Sequence, residues 1–414
     1  MSQVVAEPRS SGAAHRDSVT HRLIDASTPW RWLLVPLAIG VGSRAMVMIV
    51  GLVSLCPIPP NPVTSVSGAD YCYIFPATRR ALVEPWYAWD AGWYLDISLN
   101  GYSTSGSEAP SVAFWPLLPL LEWLVQRPLL LVPGVDLLVW ARVLGLLVAL
   151  ATFLLGLGLL YRLLLAVTRS TDEARRGTSL LAFAPGALFF SAPYPEGLLL
   201  AGVSGCLLAL HRRRWALAGL AGAVAALAQK PGWLLVLPFA WIYLATERRV
   251  GWSIGWLLLI PLAPLVWLAY LARAVGDPLA PFQAAGRFWE HALAWPWQTL
   301  AAGVGLALEA PAENALVWLN LAAALAALVA SVWAVVQGPR AWGVWGLALL
   351  LLYLCLPGEE PLKSIVRYGL PVLPVWLLAA RWFSHPVLES VVLGLFAALQ
   401  AVLTALFVHG YWVA

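Results

Sequence analysis

The sequence has few charged residues. They make up 11% of its 414 residues, whereas hydrophobic residues make up 61%, and a soluble protein carries roughly 25% charged residues. A soluble fold of this length could not cover its surface with so few charges. Because the apolar residues also fall in long blocks rather than in short periodic stripes, the composition excludes a set of soluble domains and predicts an all-α polytopic membrane protein.

Several common functional motifs are also missing. The sequence contains no P-loop, no dinucleotide-binding glycine motif, no HExxH and no His or Cys pair at metal-ligand spacing, so it predicts no metal site. Whether a divalent metal takes part in the function stays open. The 25 Lys and Arg exceed the 21 Asp and Glu by a net charge of +4, which is too small to predict a nucleic-acid partner.

Cysteine is scarce as well, with four residues in the chain. Cys206 and Cys355 lie in apolar blocks and are expected to be packed thiols. Cys56 and Cys72 share one polar loop, where a disulfide would form if the loop faced an oxidising compartment. The sequence leaves that pairing open.

A polar tail precedes the first apolar block. Residues 1–29 contain no apolar core of the kind that a signal peptide has, so we expect a disordered cytoplasmic tail followed by an uncleaved first span, 32–55. Arg44 lies in the middle of this span and should face the helix bundle, since a cation is costly in lipid. With ten more apolar blocks, the prediction is about eleven transmembrane helices in a single domain, residues 30–414. The ten further predicted spans are 138–165, 179–193, 197–210, 215–229, 232–246, 253–273, 314–336, 342–356, 369–383 and 387–409.

The placement of the basic residues predicts the orientation of the chain. Arginine clusters fall at every second span boundary, which puts the N-terminus in the cytoplasm and the long polar segment 56–112 outside. Loops of this length are often functional, so this segment is the predicted outer catalytic loop. The apolar block that follows it, 114–133, is interrupted by prolines and is expected to enter the membrane only in part.

The outer loop contains a predicted helix. Trp86, Trp89, Trp93 and Ile97 recur at helical spacing, and Pro85 is a favourable residue to begin the helix. An aromatic face of this kind is typical of a helix that lies in the membrane interface.

Asp90 is the candidate for chemistry in this helix. It lies at or just inside the helix start between two tryptophans, and Tyr94 follows one turn later on the same face. A carboxylate among aromatic side chains is partly desolvated, which makes it a stronger base toward a hydroxyl group. The alternative is a helix-capping aspartate beside an ordinary aromatic belt. The residue pattern alone does not decide between the two. Asp96 lies off this face, and we expect no shared role for it.

Five basic residues depart from the orientation pattern. They lie near the predicted outer ends of spans, where they work against the insertion bias. Each is explained singly by snorkelling or by pairing with Glu290, Glu359 or Glu360. As a group they predict an anion-binding site on the outer face. These residues are Lys230, Arg273, Arg287, Lys363 and Arg367.

Two segments of the chain resemble a known family. WDAGWYLDISLNGY at 89–102 and AFWPLLP at 113–119 resemble the signature of PIG-V-type mannosyltransferases, in which a Trp-Asp pair precedes a Gly-Tyr pair and an Ala-Phe-Phe-Pro-type stretch. That family includes the enzyme that adds the second mannose of GPI anchors. It belongs to the GT-C class of multispanning glycosyltransferases, whose donors are polyprenyl-phosphate sugars.

Three later segments resemble the same family in the same order. They are APYPEGLLL at 192–200, ALAQKPGWLL at 226–235 and IVRYGLPVLP at 365–374. With them, the resemblance covers nearly the whole chain.

The chain departs from the family pattern at four places. Ala88 stands where an Arg often precedes the Trp-Asp pair, Pro195 replaces a Ser, and Lys230 replaces an Arg. The acid that often follows the Gly-Tyr pair is displaced, and Glu108 is the nearest candidate. Because the acceptor should bind around this loop, the departures leave the acceptor open among a glycolipid, a glycan and a protein hydroxyl.

The resemblance implies a reaction and a set of site residues. Asp90 would be the catalytic base, which takes the proton of an acceptor hydroxyl as mannose leaves polyprenyl phosphate with inversion. Arg367 is the first candidate to stabilise the leaving phosphate and Lys230 the second, and Glu196 would orient one of these cations or bind a sugar hydroxyl. The predicted substrate-binding set is completed by Trp89, Tyr94 and Tyr102.

A polytopic transporter or lipid flippase is the alternative function. Arg44 and Glu196 would then be charges inside the membrane on the transport path. Against this alternative, the sequence has no internal repeat of the kind that many transporters have. Its polar residues also gather at one face of the membrane rather than near the bilayer middle.

Overall fold

The computed structural model describes residues 31–55, 82–247 and 249–414. The predicted tail 1–29, the Cys56 and Cys72 pair and much of the predicted outer loop lie outside the described residues. Within the described ranges, helices are the regular secondary structure and no strand occurs. The all-α fold is therefore confirmed for this part of the chain.

Sixteen α-helices run through the described residues, and short 3-10 helices join several of them. In chain order they are α1 (Leu34–Ser54), α2 (Asp90–Asn100), α3 (Leu117–Gln126), α4 (Leu137–Thr168), α5 (Thr171–Ala182), α6 (Glu196–His211), α7 (Trp215–Ala228), α8 (Val236–Thr246), α9 (Leu259–Ala274), α10 (Ala280–Trp289), α11 (Pro296–Glu309), α12 (Ala315–Val336), α13 (Arg340–Cys355), α14 (Ile365–Tyr368), α15 (Leu373–Trp382) and α16 (Pro386–Val408).

Five helical segments in the described residues are long and apolar enough to cross a membrane: α1, α4, α9 with the 3-10 turns before it, α12 and α16. The shorter apolar helices α6, α7 and α13 fall on three more of the predicted spans. The protein is thus a membrane protein that is all-helical in its described residues, and the predicted number of about eleven spans is not established.

Proline explains why three predicted spans are not long helices. In the span predicted at 179–193, α5 ends at Ala182 and a 3-10 helix begins at Pro185, because a residue before proline avoids the helical conformation. The span predicted at 232–246 is divided in a similar way between a 3-10 helix and the eleven-residue α8. Only ten residues of the span predicted at 369–383 are α-helical, as α15.

The predicted interfacial helix is also interrupted, so the prediction of one helix from Pro85 is wrong. A 3-10 helix ends at Tyr87, Ala88 is extended, and Trp89 has φ 59°. This left-handed conformation is unfavourable for a bulky residue and separates α2 from the turn before it. Trp86 is consequently buried against Gly51 of α1, where an added Cβ would lie 2.7 Å from the indole ring, while Trp89 is exposed.

Helix α6 lies at the centre of the bundle. It packs against α4 on one side and α7 on another, and most of its side chains are buried. Glycines permit both contacts, since a Cβ added at Gly156 would lie 3.0 Å from the Ala201 backbone nitrogen, and one added at Gly202 would lie 2.7 Å from that of Ala225. Small residues allow close approach of this kind between membrane helices. The first residue of this buried helix is Glu196.

Arg44 faces the bundle, as predicted. Its guanidinium donates hydrogen bonds to the Ala182 carbonyl at 2.9 Å and to the Ser191 hydroxyl at 3.0 Å, and it lies 4.7 Å from the centre of the Phe153 ring. Its hydrogen-bond partners are therefore the carbonyl at the end of α5, a carbonyl of the 3-10 helix that follows, and the hydroxyl of Ser191 just after that helix. The last carbonyls of a helix have no partner within the helix and can accept such bonds.

Candidate active site

The predicted site residues meet at the end of the bundle where α6 begins and α7 ends. Asp90 is the first residue of α2 and Glu196 the first of α6, while Lys230 begins the 3-10 helix after α7. Arg367 lies in the single-turn helix α14. Carboxylates at helix N-termini are favoured by the helix dipole, so the local structure suits both acids.

Arg367 bridges the two acids. Its Nη1 donates to Asp90 Oδ2 at 2.8 Å, and its Nε donates to Glu196 Oε1. The side chains of Arg367 and Glu196 are 3% and 2% exposed, whereas that of Asp90 is 19% exposed. The guanidinium therefore holds one buried and one accessible carboxylate, which its planar fork of donors allows.

Aromatic rings surround the same guanidinium. The Arg367 Cζ atom lies 4.5 Å from the ring centre of Tyr194, 5.0 Å from that of Phe189 and 5.1 Å from that of Tyr368. Tyr368 in turn stacks on Tyr353, with the ring centres 4.2 Å apart and the planes nearly parallel. These contacts leave the cation little freedom to move toward a ligand.

Glu196 is held by a second donor. The Gln229 side-chain amide donates to Glu196 Oε1 at 3.0 Å, and both side chains are buried. The other oxygen, Oε2, is buried without a hydrogen-bond partner among the described residues. Gln229 was not among the predicted site residues, although it directly precedes Lys230 in a matched segment.

Asp90 is the accessible acid of the site. Its Oδ2 accepts the bond from Arg367, and Oδ1 has no partner among the described side chains. A hydrogen bond also holds the segment before Asp90 in place, since the Tyr194 hydroxyl donates to the Ala88 carbonyl oxygen at 3.1 Å. One carboxylate oxygen is thus anchored, and the other is available to a ligand.

Two cavities meet at Asp90. The first has a volume of about 130 Å³ and the second of about 260 Å³, and both are bordered by Asp90, Trp289 and His291 together with Tyr353 and Tyr368. The first cavity is also lined by Tyr94, Phe114, Trp115, Gln229, Lys230 and Arg367. The second is also lined by Trp89, Glu359, Lys363, Ser364 and Trp412.

The predicted aromatic residues differ in their positions. Tyr94 lines the first cavity, and Trp89 lines the second, where it packs edge-on against Trp412 with 5.2 Å between ring centres. Tyr102 borders neither cavity. Its hydroxyl donates to the Phe114 carbonyl at 2.8 Å, and its ring packs against Trp267.

Tyr102 lines an apolar groove beside the first cavity. The groove has a volume of about 590 Å³ and runs between the start of α3 and the helices α7 and α9. Leu227 lines this groove, whereas Gln229 and Lys230 line the cavity. Groove and cavity are thus lined by residues that lie close together in the chain, at the end of α7 and again at Trp115, which lines the cavity, and Pro116, which lines the groove.

Besides Arg367, three of the five unusual basic residues differ in their contacts. Lys363 pairs with Glu359 at 3.3 Å and with Glu360 at 3.8 Å, as predicted for a surface cation. Arg287 pairs with Glu108 at 2.7 Å rather than with Glu290, and that hydrogen bond lowers the pKa of the Glu108 carboxyl. Lys230 forms no hydrogen bond or ion pair with any residue in the described ranges, and burial lowers its pKa.

Sequence reasoning missed His291. It lies in the loop after α10, and its Nδ1 is 3.1 Å from the Leu356 carbonyl oxygen. Burial lowers its pKa, and the nearby positive charge of Lys230 lowers it further. Nothing in its immediate sequence indicates a site, since no second histidine or acid lies at ligand spacing. In the described residues, no three His, Cys, Asp or Glu side chains are grouped as a metal site would require.

Residues 61–242 match the family described as Mannosyltransferase (PIG-V). The matched range includes Asp90, Glu196 and Lys230, and Arg367 lies beyond it. This match confirms the resemblance to PIG-V-type mannosyltransferases and implies a glycosyltransferase. A comparison with curated proteins found no match.

Proposed function

We propose that the protein transfers mannose from a polyprenyl-phosphate sugar to an acceptor hydroxyl at the non-cytoplasmic face of the membrane, with inversion at the anomeric carbon. The observation that carries this proposal is the position of Asp90, an accessible carboxylate held by Arg367 where two cavities meet. A base between two binding spaces suits a reaction with two substrates.

The proposed step uses Asp90 as a general base. The acceptor oxygen attacks the anomeric carbon and forms the new glycosidic bond, while the bond from that carbon to the phosphate oxygen breaks. The hydroxyl proton passes to Asp90 Oδ1, and the bond electrons leave with the lipid phosphate. Because the phosphate is already a weak base, it needs positive charge nearby rather than a general acid.

The first cavity is the better place for the donor. Its lining includes Lys230, the cation that has no described partner, and the apolar groove is lined by Leu227, three positions before Lys230 in the chain. A polyprenyl chain needs an apolar path that ends next to a charged headgroup site. The groove along Pro116, Leu120 and Trp267 supplies such a path, and this arrangement supports a lipid-linked donor.

The second cavity is then left for the acceptor. It is the larger of the two and is lined by the indoles of Trp89, Trp289 and Trp412 and by Lys363. Flat aromatic faces pack well against sugar rings because both surfaces are apolar with polar edges. This lining favours an acceptor that carries a sugar, such as a glycolipid or glycan, over a bare protein hydroxyl.

The test is sugar transfer by an Asp90→Asn variant. Purified protein receives a panel of polyprenyl-phosphate sugars with membrane extract as the source of acceptor. The amide cannot take a proton, so transfer should fall on the order of 10²- to 10⁴-fold, while folding and yield stay unchanged. The matched control is Asp96→Asn on the same helix, because Asp96 is partly exposed and bonds only to Asn100; it should keep full activity.

Two outcomes would contradict the proposal. Full transfer by Asp90→Asn would exclude Asp90 as the base. If the unchanged protein transferred sugar from none of the donors but moved them across a vesicle membrane, the transporter or flippase alternative would stand instead. The family match gives that alternative no support.

A further inference from the structure

The cation predicted first for the leaving phosphate is already occupied. Arg367 donates to Asp90 and to Glu196, and it is enclosed by three aromatic rings. A move toward a phosphate would break a contact to a buried carboxylate, which is costly when no other donor replaces it. The charge on the phosphate must therefore be met by other groups on the cavity wall.

Lys230 is the cation that remains. Its side chain lines the first cavity beside Gln229 and has no hydrogen bond or ion pair with the described residues. An ammonium group removed from water without a partner is unfavourable, so the side chain gains most when an anion enters the cavity.

His291 lies on the same cavity wall with one nitrogen fixed. A carbonyl oxygen only accepts hydrogen bonds, so Nδ1 must donate to Leu356. This leaves Nε2 without a partner among the described residues. In the neutral ring Nε2 is an acceptor, and in the protonated ring it becomes a second donor.

We propose that Lys230 and His291 together bind the phosphate of the lipid-linked donor, and that Arg367 serves instead to hold Asp90. This inference rests on the proposed function and assigns the headgroup contacts within it. Lys230 supplies an ammonium group, and His291 adds a charge-assisted hydrogen bond once it is protonated.

The groups around His291 decide its behaviour with pH. Lys230 is the positive group next to it, and its charge together with burial holds the pKa of His291 below the usual value of about 6.5 in the free protein. A bound phosphate reverses this effect because it favours the charged ring. The other titratable or charged groups on the two cavities that His291 borders are Asp90, Tyr94, Glu359, Lys363, Arg367, Tyr353 and Tyr368.

The direction of the pH dependence follows from these shifts. Phosphate binding raises the pKa of His291, so affinity increases as the pH falls toward the lowered pKa of the free protein. Below that pKa, His291 is protonated before the phosphate binds, and the increase in affinity is complete. Above the raised pKa of the complex, His291 is neutral in both states and contributes no charge.

The experiment measures binding of a short isoprenyl phosphodiester with a methyl group in place of the sugar. Its single charge does not change in the range of histidine titration, so a pH effect belongs to the protein. The unchanged protein should bind on the order of tenfold more tightly at low pH than at high pH. His291→Asn keeps a donor for the Leu356 carbonyl but lacks the second nitrogen, so its affinity should stay at the high-pH level throughout.

Lys230→Met should weaken binding on the order of tenfold, because it removes the ammonium group that meets the phosphate. Two controls lie outside the proposed phosphate site. Arg273→Met changes an exposed cation and His385→Asn changes an exposed histidine, and neither residue borders either cavity; both variants should bind the phosphodiester as the unchanged protein does.

Binding of the phosphodiester separates this inference from the proposed function, because it needs no transfer. If His291→Asn kept the pH dependence of the unchanged protein, or Lys230→Met bound normally, the assignment would be overturned even with transfer intact. If the predicted binding pattern appeared in a protein that transferred no sugar, the phosphate site would stand and the transferase proposal would fail.

Discussion

At the scale of single residues, the site depends on how Arg367 divides its donors. One donor goes to Asp90 and another to Glu196. The pairing places a positive charge beside the buried Glu196 carboxyl and anchors Oδ2 of Asp90. In the proposed reaction, the other oxygen of Asp90 is the one that takes the proton.

Arg367→Lys should reduce transfer on the order of 100-fold while the protein stays folded. An ammonium group keeps the charge but lacks the planar fork that reaches both carboxylates, so Asp90 loses its fixed orientation. The measurement is kcat together with the melting temperature. The control is Arg287→Lys, whose pair with Glu108 is exposed at the surface and should tolerate the change. Equal losses in the two variants would show that the bridge has no special role.

Removal of the charge should have a larger effect on stability. Arg367→Met leaves the Glu196 carboxylate buried without its cation, which costs about 3–5 kcal/mol. The expected result is a clear drop in melting temperature or in folded yield. The double variant Arg367→Met with Glu196→Gln should recover much of that loss, because no uncompensated buried charge remains. If the double variant were no more stable than the single one, the proposed charge pairing would be wrong.

At the scale of helices, α6 must lie close to its neighbours for Glu196 to reach Arg367. Gly202→Ala should lower stability by about 1–3 kcal/mol, because its Cβ would lie 2.7 Å from backbone and side-chain atoms of Ala225 in α7. Gly205→Ala on the same helix is the control, since its Cβ would lie 3.4 Å from the nearest atom. Thermal unfolding of the two variants in one detergent tests this. Equal melting temperatures would contradict the close-packing argument.

The groove between α3, α7 and α9 makes a prediction about the donor. Leu227→Trp should fill part of the groove and raise KM for a long-chain polyprenyl donor several-fold, with little effect on a short-chain donor that does not reach it. Leu220→Trp lies on the same helix at an exposed position and should change neither value. An equal rise in KM for both donor lengths would mean that the chain lies elsewhere.

The sequence predicted those site residues that belong to short recognisable segments. Residues such as Asp90, Glu196 and Arg367 could be singled out because each lies in a short segment with a recognisable order of residues. The break at Trp89 could not, since helical spacing of the tryptophans runs through it without interruption. The interruptions of the helix in three predicted spans could not be predicted for a similar reason, because an average over an apolar block does not register a proline such as Pro185.

At the scale of the whole molecule, the site is made of residues that are far apart in the chain. Asp90 and Arg367 are separated by 277 positions. No local sequence pattern shows that Arg367 donates its hydrogen bonds to two carboxylates while Lys230 has no partner among the described residues. His291 is the clearest case, since only the fold places it beside Lys230. Only the tertiary contacts therefore show which of the two cations, Arg367 or Lys230, is free to bind the leaving phosphate.

The few charged residues of the chain can now be related to their positions in the fold. Within the described residues, several buried or half-buried charged side chains have identifiable partners or border a cavity, as Arg44, Glu196 and Lys230 do. Glu122 differs from them, because it is buried and neither of its carboxylate oxygens has a hydrogen-bond partner in that part of the chain. A charge in an apolar protein is costly unless it is paired or used, so a lone cation such as Lys230 is a strong indication of a ligand.

The most direct measurement compares binding and turnover in the same Asp90→Asn protein. Affinity for the isoprenyl phosphodiester is measured first, and mannose transfer from a polyprenyl-phosphate donor is then followed at saturation. The account predicts affinity within about twofold of the unchanged protein and a transfer rate lower by at least about 100-fold. A variant that transfers mannose at the normal rate would contradict it.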